Sequence, residues 1–427
     1  FIIPYPKVNK TWNDITSWDE LPRSAAPVWV NWFTKKDGAP QESLKKPEIN
    51  VRQIADKVVI QEETFNYEYS YSVPPNDIYY RAKAGGIVNL ELELIRPDGK
   101  KILLAKKSIR TSNSKTLKVS LANESKYNTI KFAKYFASEE SARKLERQLG
   151  NPIKVLFSEA DKNIVDNPKP LTGEYKIQVK AAIIGKEAFL KNSRIVVAGQ
   201  VYGILGTDSY KRDIWSGVIA GTKWAMLIGL LISFISVSVA VIYGVTSAYF
   251  GGWVDTVLMR IWEVAVSMPM IPVLIVVAAV WKPSIWSLII MMSLFYWRGS
   301  VKTIRSMGLQ IKEETYIEAA HALDASNLRI IFKHMIPQLI PYSFASMALM
   351  VPGAIIAEAT LSLLGLGDVT VVTWGQILHD AITGGAVLKG IWWWVVPPGL
   401  FIAVMGMTFA FIGFAMDNIL NPKLKTR

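Results

Sequence analysis

Few side chains in this sequence have both the type and the placement to do chemistry, and most of those are acids set among apolar neighbours. The stretch EAAHALDASNLRIIFKHMIP, Glu318 to Pro337, divides two long apolar runs with acids, bases and a loop-forming Asp-Ala-Ser-Asn. That mixture suits docking onto another protein better than bond making. Within the apolar runs, Arg260, Glu263 and Glu358 are each costly unless paired or facing water. Arg260 and Glu263 are spaced i, i+3, so one helical turn brings them together. Glu358 stands beside the small residues Ala357, Ala359 and Ser362, where it either lines a path or binds a neighbouring helix.

Catalysis finds little support elsewhere. Cysteine is absent, which excludes disulfides, thiol catalysis and cysteine-ligated metal. The three histidines, His321, His334 and His379, match no metal spacing. No segment reads G-x-x-x-x-G-K-[ST], so the chain lacks a phosphate loop of that type.

The elements that must position these residues fall into two regions. Of the net charge of +13, residues 1 to 220 carry +10 and residues 221 to 427 carry +3, so no nucleic-acid partner is expected. The first region reads as β structure. Ile87 to Leu104 alternates on both sides of Pro97-Asp98-Gly99, the pattern of a hairpin, and Glu174 to Ile184 alternates likewise. One helix is expected, capped by Ser138 and ended by Gly150. A β-sandwich-like domain over residues 1–205 follows from this. Thr207 or Asp208 then caps an interfacial helix over 206–221 that sets Tyr210, Ile214 and Val218 on one face.

Residues 222–427 read as a membrane domain with five spans, at about 224–250, 254–280, 284–300, 339–366 and 391–416, each set against a hydrocarbon core of roughly 30 Å. Tryptophans 281, 286, 297 and 392 to 394 stand where the interfaces fall. Pro269 and Pro272 interrupt the second span and free carbonyls where a pathway can bend. Arg298, Lys302, Arg305, Lys312, Arg329 and Lys333 crowd the segment between the third and fourth spans, whereas the loop 365–390 holds Lys389 alone. The basic segment, 301–338, is therefore cytoplasmic, as is the C-terminus, and residues 1 to about 220 are extracellular. The chain opens at FIIPYPKV without methionine or a signal-peptide pattern, so a further span is expected before Phe1.

Within 301–338, KEETYIEAAHAL predicts one helix with acids in its first turn. Ser326 caps a second, whose Leu328, Ile331, Phe332 and Met335 share a side. Ala319 and Ala320 are small enough to admit a partner surface.

Together with GTDSYKRD (206–213), YFGGWVDTVLMR (249–260), AEATLSLLGLG (357–367) and WGQIL (374–378), the Glu-Ala-Ala stretch resembles the permease subunits of ABC importers. Within them it is most similar to the C-type subunit of oligopeptide and dipeptide transporters, over about residues 200 to 427. The resemblance implies an α-helical polytopic membrane protein of the type I ABC importer transmembrane fold in the cell membrane. A large extracellular β-rich domain is then inserted after the first span. It implies coupling to ATPase subunits through Glu318, Ala319, Ala320, Asp324, His334 and Pro337. Glu263, Pro269, Pro272 and Glu358 become candidates for the translocation path. The implied partners are a second homologous permease subunit in a heterodimer, two cytoplasmic ATPase subunits that bind ATP and Mg, an extracellular substrate-binding protein and membrane lipid. No cofactor is expected on this chain. Short peptides are the implied cargo, with di- or oligosaccharides as the alternative, and a membrane-tethered docking protein is a remote one. Where such subunits carry glycine, this chain has Lys211 and Asp324; Asp324 is expected to break the helix.

Overall fold

The computed structural model describes residues 5–35, 37–55, 57–110, 113–148, 152–281 and 284–420. Gly150, expected to end a helix, lies outside them. Two compact units are present: one is Asp14–Trp215, and the other comprises the described residues of Ile2–Asn13 and Ser216–Arg427.

The first unit is built on one seven-stranded antiparallel sheet: β1 (Glu42–Leu44), β2 (Glu48–Ala55), β3 (Val58–Tyr69), β4 (Asp77–Ile95), β5 (Lys101–Ile109), β6 (Asn113–Lys118) and β7 (Gly173–Ala198). The order β2-β3-β7-β4-β5 runs along it, with β1 on β7 and β6 on β4. The expected hairpin is present, with Ile95 opposite Lys101 across a turn whose Gly99 has φ +75°, a region glycine enters without steric cost. Alternation sends Phe65, Tyr67, Tyr69, Leu90, Leu92, Leu94, Ile177 and Val179 into one core. Among the described residues all seven strands are hydrogen-bonded into one sheet, not the two separate ones of a sandwich, and both ends of the long strands β4 and β7 contribute to this core through Ile78, Tyr80, Ile195 and Val197. Ile153, Leu156 and Phe157 join the sheet's core from α4 (Pro152–Leu156) and the residue after it. Helix α2 (Asn123–Phe136) is tied to β5 by Asn128 Nδ2, which donates to the Leu103 carbonyl at 2.9 Å. Helix α2 has no side-chain cap, so no capping signal marks its start in the sequence. Helix α3 (Glu139–Gln148) starts where expected, with Ser141 N donating to Ser138 Oγ at 3.2 Å.

The second unit is helical: α1 (Tyr5–Thr11), α5 (Ile214–Phe250), α6 (Gly252–Ser267), α7 (Met270–Val280), α8 (Ile285–Tyr296), α9 (Val301–Lys312), α10 (Thr315–Ala322), α11 (Asn327–Arg329), α12 (Ile336–Leu363), α13 (Trp374–Thr383) and α14 (Trp392–Leu420). Among the described residues, three helices are long and apolar enough to cross a membrane: Ile214–Phe250, Asn327–Leu363 and Trp392–Met416. The second expected span is the pair α6 and α7, bent by 83° at the break before Met270. Pro269 stands at that break in extended conformation, and Pro272 lies inside the first turn of α7, where a missing N–H costs nothing. The third expected span is a short helix, α8, opened by a capping box of Ser284 and Ser287.

The separate interfacial helix over 206–221 does not form. Asp208 is spent on a turn: Oδ1 accepts from Tyr210 N and Arg212 N, each at 2.8 Å, and Oδ2 accepts from Arg212 Nε at 2.6 Å. Burial pushes the Asp208 carboxyl up, while Arg212 opposes the shift. Lys211 sits within this turn at φ +69°, and the apolar helix begins only at Ile214.

Candidate coupling site

Helix α10 starts at Thr315, not at Lys312. Glu313 closes α9 by donating its N–H to Gln310 O, and Glu314 is the extended residue before α10, so neither acid joins the helix. One side of α10 is inward: Ile317 and Ala320 pack with Ile330, Ile331, Met335, Val245, Val301 and Ile304. Ala320 therefore serves the chain's own core, which corrects the expectation that it faces a partner; Glu318 and Ala319 are exposed.

Asp324 has φ +57° and ends α10. Asp324 N donates to His321 O at 3.0 Å and Ala325 N to Ala320 O at 3.1 Å. This is the pair of bonds by which helices end on a left-handed residue, usually glycine. The expected break is present, and a non-glycine residue pays roughly 1 kcal/mol for it. Lys211 and Asp324, the two departures from the resembled glycines, are both left-handed.

Ser326 holds the N-cap position of α11 without a side-chain bond. From Ile330 to Met335 the chain makes a wide π-type turn before continuing as α12. Widening breaks the 3.6-residue period, which explains why the expected face is not a face. Ile330, Ile331 and Met335 are buried, while Leu328 and Phe332 are 68% and 54% exposed. His334 is half-buried. Pro337 lies in the first turn of α12, where a missing N–H is tolerated.

Four residues that sequence reading did not assign hold this segment in place. Tyr249, at the end of α5, donates its hydroxyl to Asn327 Oδ1 at 2.7 Å, and its ring stacks on His321 with 5.8 Å between centroids. Arg305 of α9 donates Nε to Asp255 Oδ1 at 2.6 Å and Nη2 to the other oxygen, while Ser247 donates to the same carboxylate. A bidentate guanidinium–carboxylate pair fixes angle as well as distance. The signal was present in YFGGWVDTVLMR, whose Gly251 and Gly252 (φ +62° and +49°) fold the chain so that Asp255 faces α5 again.

The remaining sequence candidates divide. Arg260 Nη1 donates to Glu263 Oε2 at 2.7 Å on the exposed side of α6, so this pair forms as expected. Glu358 is 3% exposed; Ser362 Oγ donates to its Oε1 at 2.7 Å, and the Thr373 hydroxyl faces the same carboxyl. Around it the resembled segments interlock. Trp374 Nε1 donates to Val218 O at 2.8 Å, and a Cβ on Gly375 would come within 2.7 Å of both Ala359 Cα and Ser362 Cβ. The structure does not bring Glu358 to Glu263 or to the coupling segment; Glu358 joins α12 to α13.

Residues 240–426 match the family model described as the binding-protein-dependent transport system inner membrane component. The dipeptide transport system permease protein DppC of Bacillus subtilis (strain 168) is 32% identical over 221 residues, which span 52% of this chain and 68% of that one. The oligopeptide transport system permease protein OppC of Haemophilus influenzae is 32% identical over 223 residues, spanning 52% and 71%. Among solved structures, an inward facing conformation of the MetNI methionine ABC transporter aligns over 48% of this chain and 96% of that one, with 15% identity and a TM-score of 0.38. By the extent and identity of its curated relatives, the chain belongs to the family of binding-protein-dependent transport system inner membrane components, the permease subunits of ABC importers.

Proposed function

We propose that this chain forms half of the translocation pathway of an ATP-driven importer of short peptides and docks cytoplasmic ATPase subunits through residues 313–337. The observation that carries the reading is the build of the coupling segment. Its inner side is fixed to α5 and α9, its outer side presents Glu318, Ala319, Leu323, Leu328 and Phe332, and it continues without a loop into a helix of the membrane unit. A ridge so held moves with the apolar helices and not independently of them. The names of the relatives, dipeptide and oligopeptide permeases, support the cargo.

In this reading a second permease subunit completes the pathway as a heterodimer, and two ATPase subunits bring ATP and Mg. The coupling segment is cytoplasmic. The sheet domain lies outside the cell, where it docks the substrate-binding protein. Bending at Pro269 supplies irregular backbone of the kind tolerated at membrane depth only beside protein or water.

The test is ATP-dependent uptake of a labelled tripeptide by the reconstituted assembly. Deleting Glu313 to Pro337 should abolish uptake and co-purification of the ATPase subunits; retention of both would refute docking there. Uptake of maltotriose in place of tripeptide would overturn the cargo alone. Removal of the sheet domain without loss of binding-protein association would overturn its docking role.

A further inference from the structure

Strand β2 is the edge of the sheet, pairing with β3 alone among the described strands, from Glu48 opposite Thr64 to Ala55 opposite Val58. Every residue of β2 is exposed, including Ile49 at 56% and Val51 at 57%. A strand open on both faces and along one edge presents a row of free N–H and C=O groups, which soluble domains usually blunt. Here the backbone devices that do so are confined to the ends. Pro47 precedes the strand and lacks an N–H, and a register shift between Gln53 and Ala55 bends it. Between them lies the sequence Glu-Ile-Asn-Val-Arg-Gln, residues 48–53.

This stretch is complementary to itself. Antiparallel pairing of two copies keeps odd residues opposite odd and even opposite even, so a dyad must pass through a residue. A dyad at Asn50 sets Glu48 opposite Arg52 twice on one face, with Asn50 opposite its own copy between them. On the other face Ile49 meets Val51 twice. Opposite charges and β-branched pairs directly across a ladder both favour pairing. A dyad at Val51 loses this, setting Ile49 against Gln53 and Glu48 against Ile54. A dyad at Ile49 sets Lys46 against Arg52, which is repulsive.

We propose that β2 is an interface between two copies of this chain, which join edge to edge in antiparallel register about Asn50 and so continue the sheet from one copy into the next. The proposal is independent of the cargo and of the coupling segment.

The absence of cysteine from the chain makes the register directly readable. Asn50→Cys in the full chain, assembled with its partner subunits in native membranes and treated with copper phenanthroline, should give a disulfide-linked dimer. Val51→Cys and Ile49→Cys should give none alone, because copies of each lie two residues apart across the ladder. That spacing is about 8 Å, beyond the roughly 7 Å over which a disulfide closes. Mixed membranes carrying Ile49→Cys and Val51→Cys on separate copies should cross-link. In the Asn50→Cys background, Glu48→Arg or Arg52→Glu should each abolish the dimer, and the two together should restore it, an outcome that misfolding cannot produce. Absence of a dimer with Asn50→Cys, dimerisation by Val51→Cys alone, or failure of the double reversal to restore it would each overturn the proposal.

Discussion

Glu263 and Glu358 both lie in apolar helices of the same unit, yet their surroundings are opposite. Glu263 shares a helical turn with Arg260 and both side chains stay exposed, so the pair is local and could form in an isolated helix. Glu358 has no basic neighbour in sequence; its partners are hydroxyls, one a turn along α12 and one at the start of α13. The difference teaches that a charge on an apolar helix is read through its neighbours' size. An arginine at i−3 announces a pair that needs nothing else, whereas a setting of Ala357, Ala359 and Ser362 announces close approach of another helix, which then encloses the acid.

The largest effect expected from breaking this contrast is at the enclosed site. Glu358→Ala removes the acceptor of Ser362 and should lower the stability of the purified chain by about 2 kcal/mol, measured as thermal unfolding in detergent. Glu358→Gln, which keeps an acceptor, should lose less than half of that; equal losses would mean that the carboxylate charge and not the hydrogen bond matters. Next comes Arg305→Ala, which strands Asp255 in a half-buried setting and should cost about 1.5 kcal/mol with loosened ATPase docking. An unchanged melting midpoint would show that the ion pair adds nothing to the anchoring of α9. A smaller effect of opposite sign is expected for Asp324→Gly, which relieves the left-handed residue and should stabilise by up to about 1 kcal/mol while uptake persists. Destabilisation there would show that the Asp324 side chain makes a contact worth more than the strain. Smallest is Arg260→Gln, expected to shift stability by under about 1 kcal/mol, as exposed pairs do; a loss as large as that of Glu358→Ala would erase the distinction between the two acids.

Much of the membrane unit was legible because apolar runs and prolines act locally. The break at Pro269, the pair Arg260–Glu263 and the end of α10 at Asp324 all follow from backbone rules that need no knowledge of neighbours. What could not be read depends on contacts far apart in sequence. The inward turn of Ala320, the hold of Tyr249 on Asn327 and that of Asp255 on Arg305 exist only once α5 and α9 lie together. Helical period also misled at Leu328 and Phe332, since nothing local announces the wide turn that rotates them outward. In the sheet unit, alternation located strands correctly, but not that β4 and β7 each run on to pair with several partners in one sheet, which depends on residues far apart in sequence.

The helix from Asn327 to Leu363 is 37 residues long, about 55 Å at the usual rise. A member of that length fixed at one end and pushed at the other behaves as a shaft, carrying twist as well as thrust. Its stiffness is uneven: Ile330 to Met335 is widened, and Pro337, Pro341 and Pro352 each lack an N–H to donate, so bending concentrates at those levels. Glu358 lies beyond all of these, and its contacts with Ser362 and Thr373 fasten the far end of the shaft to α13.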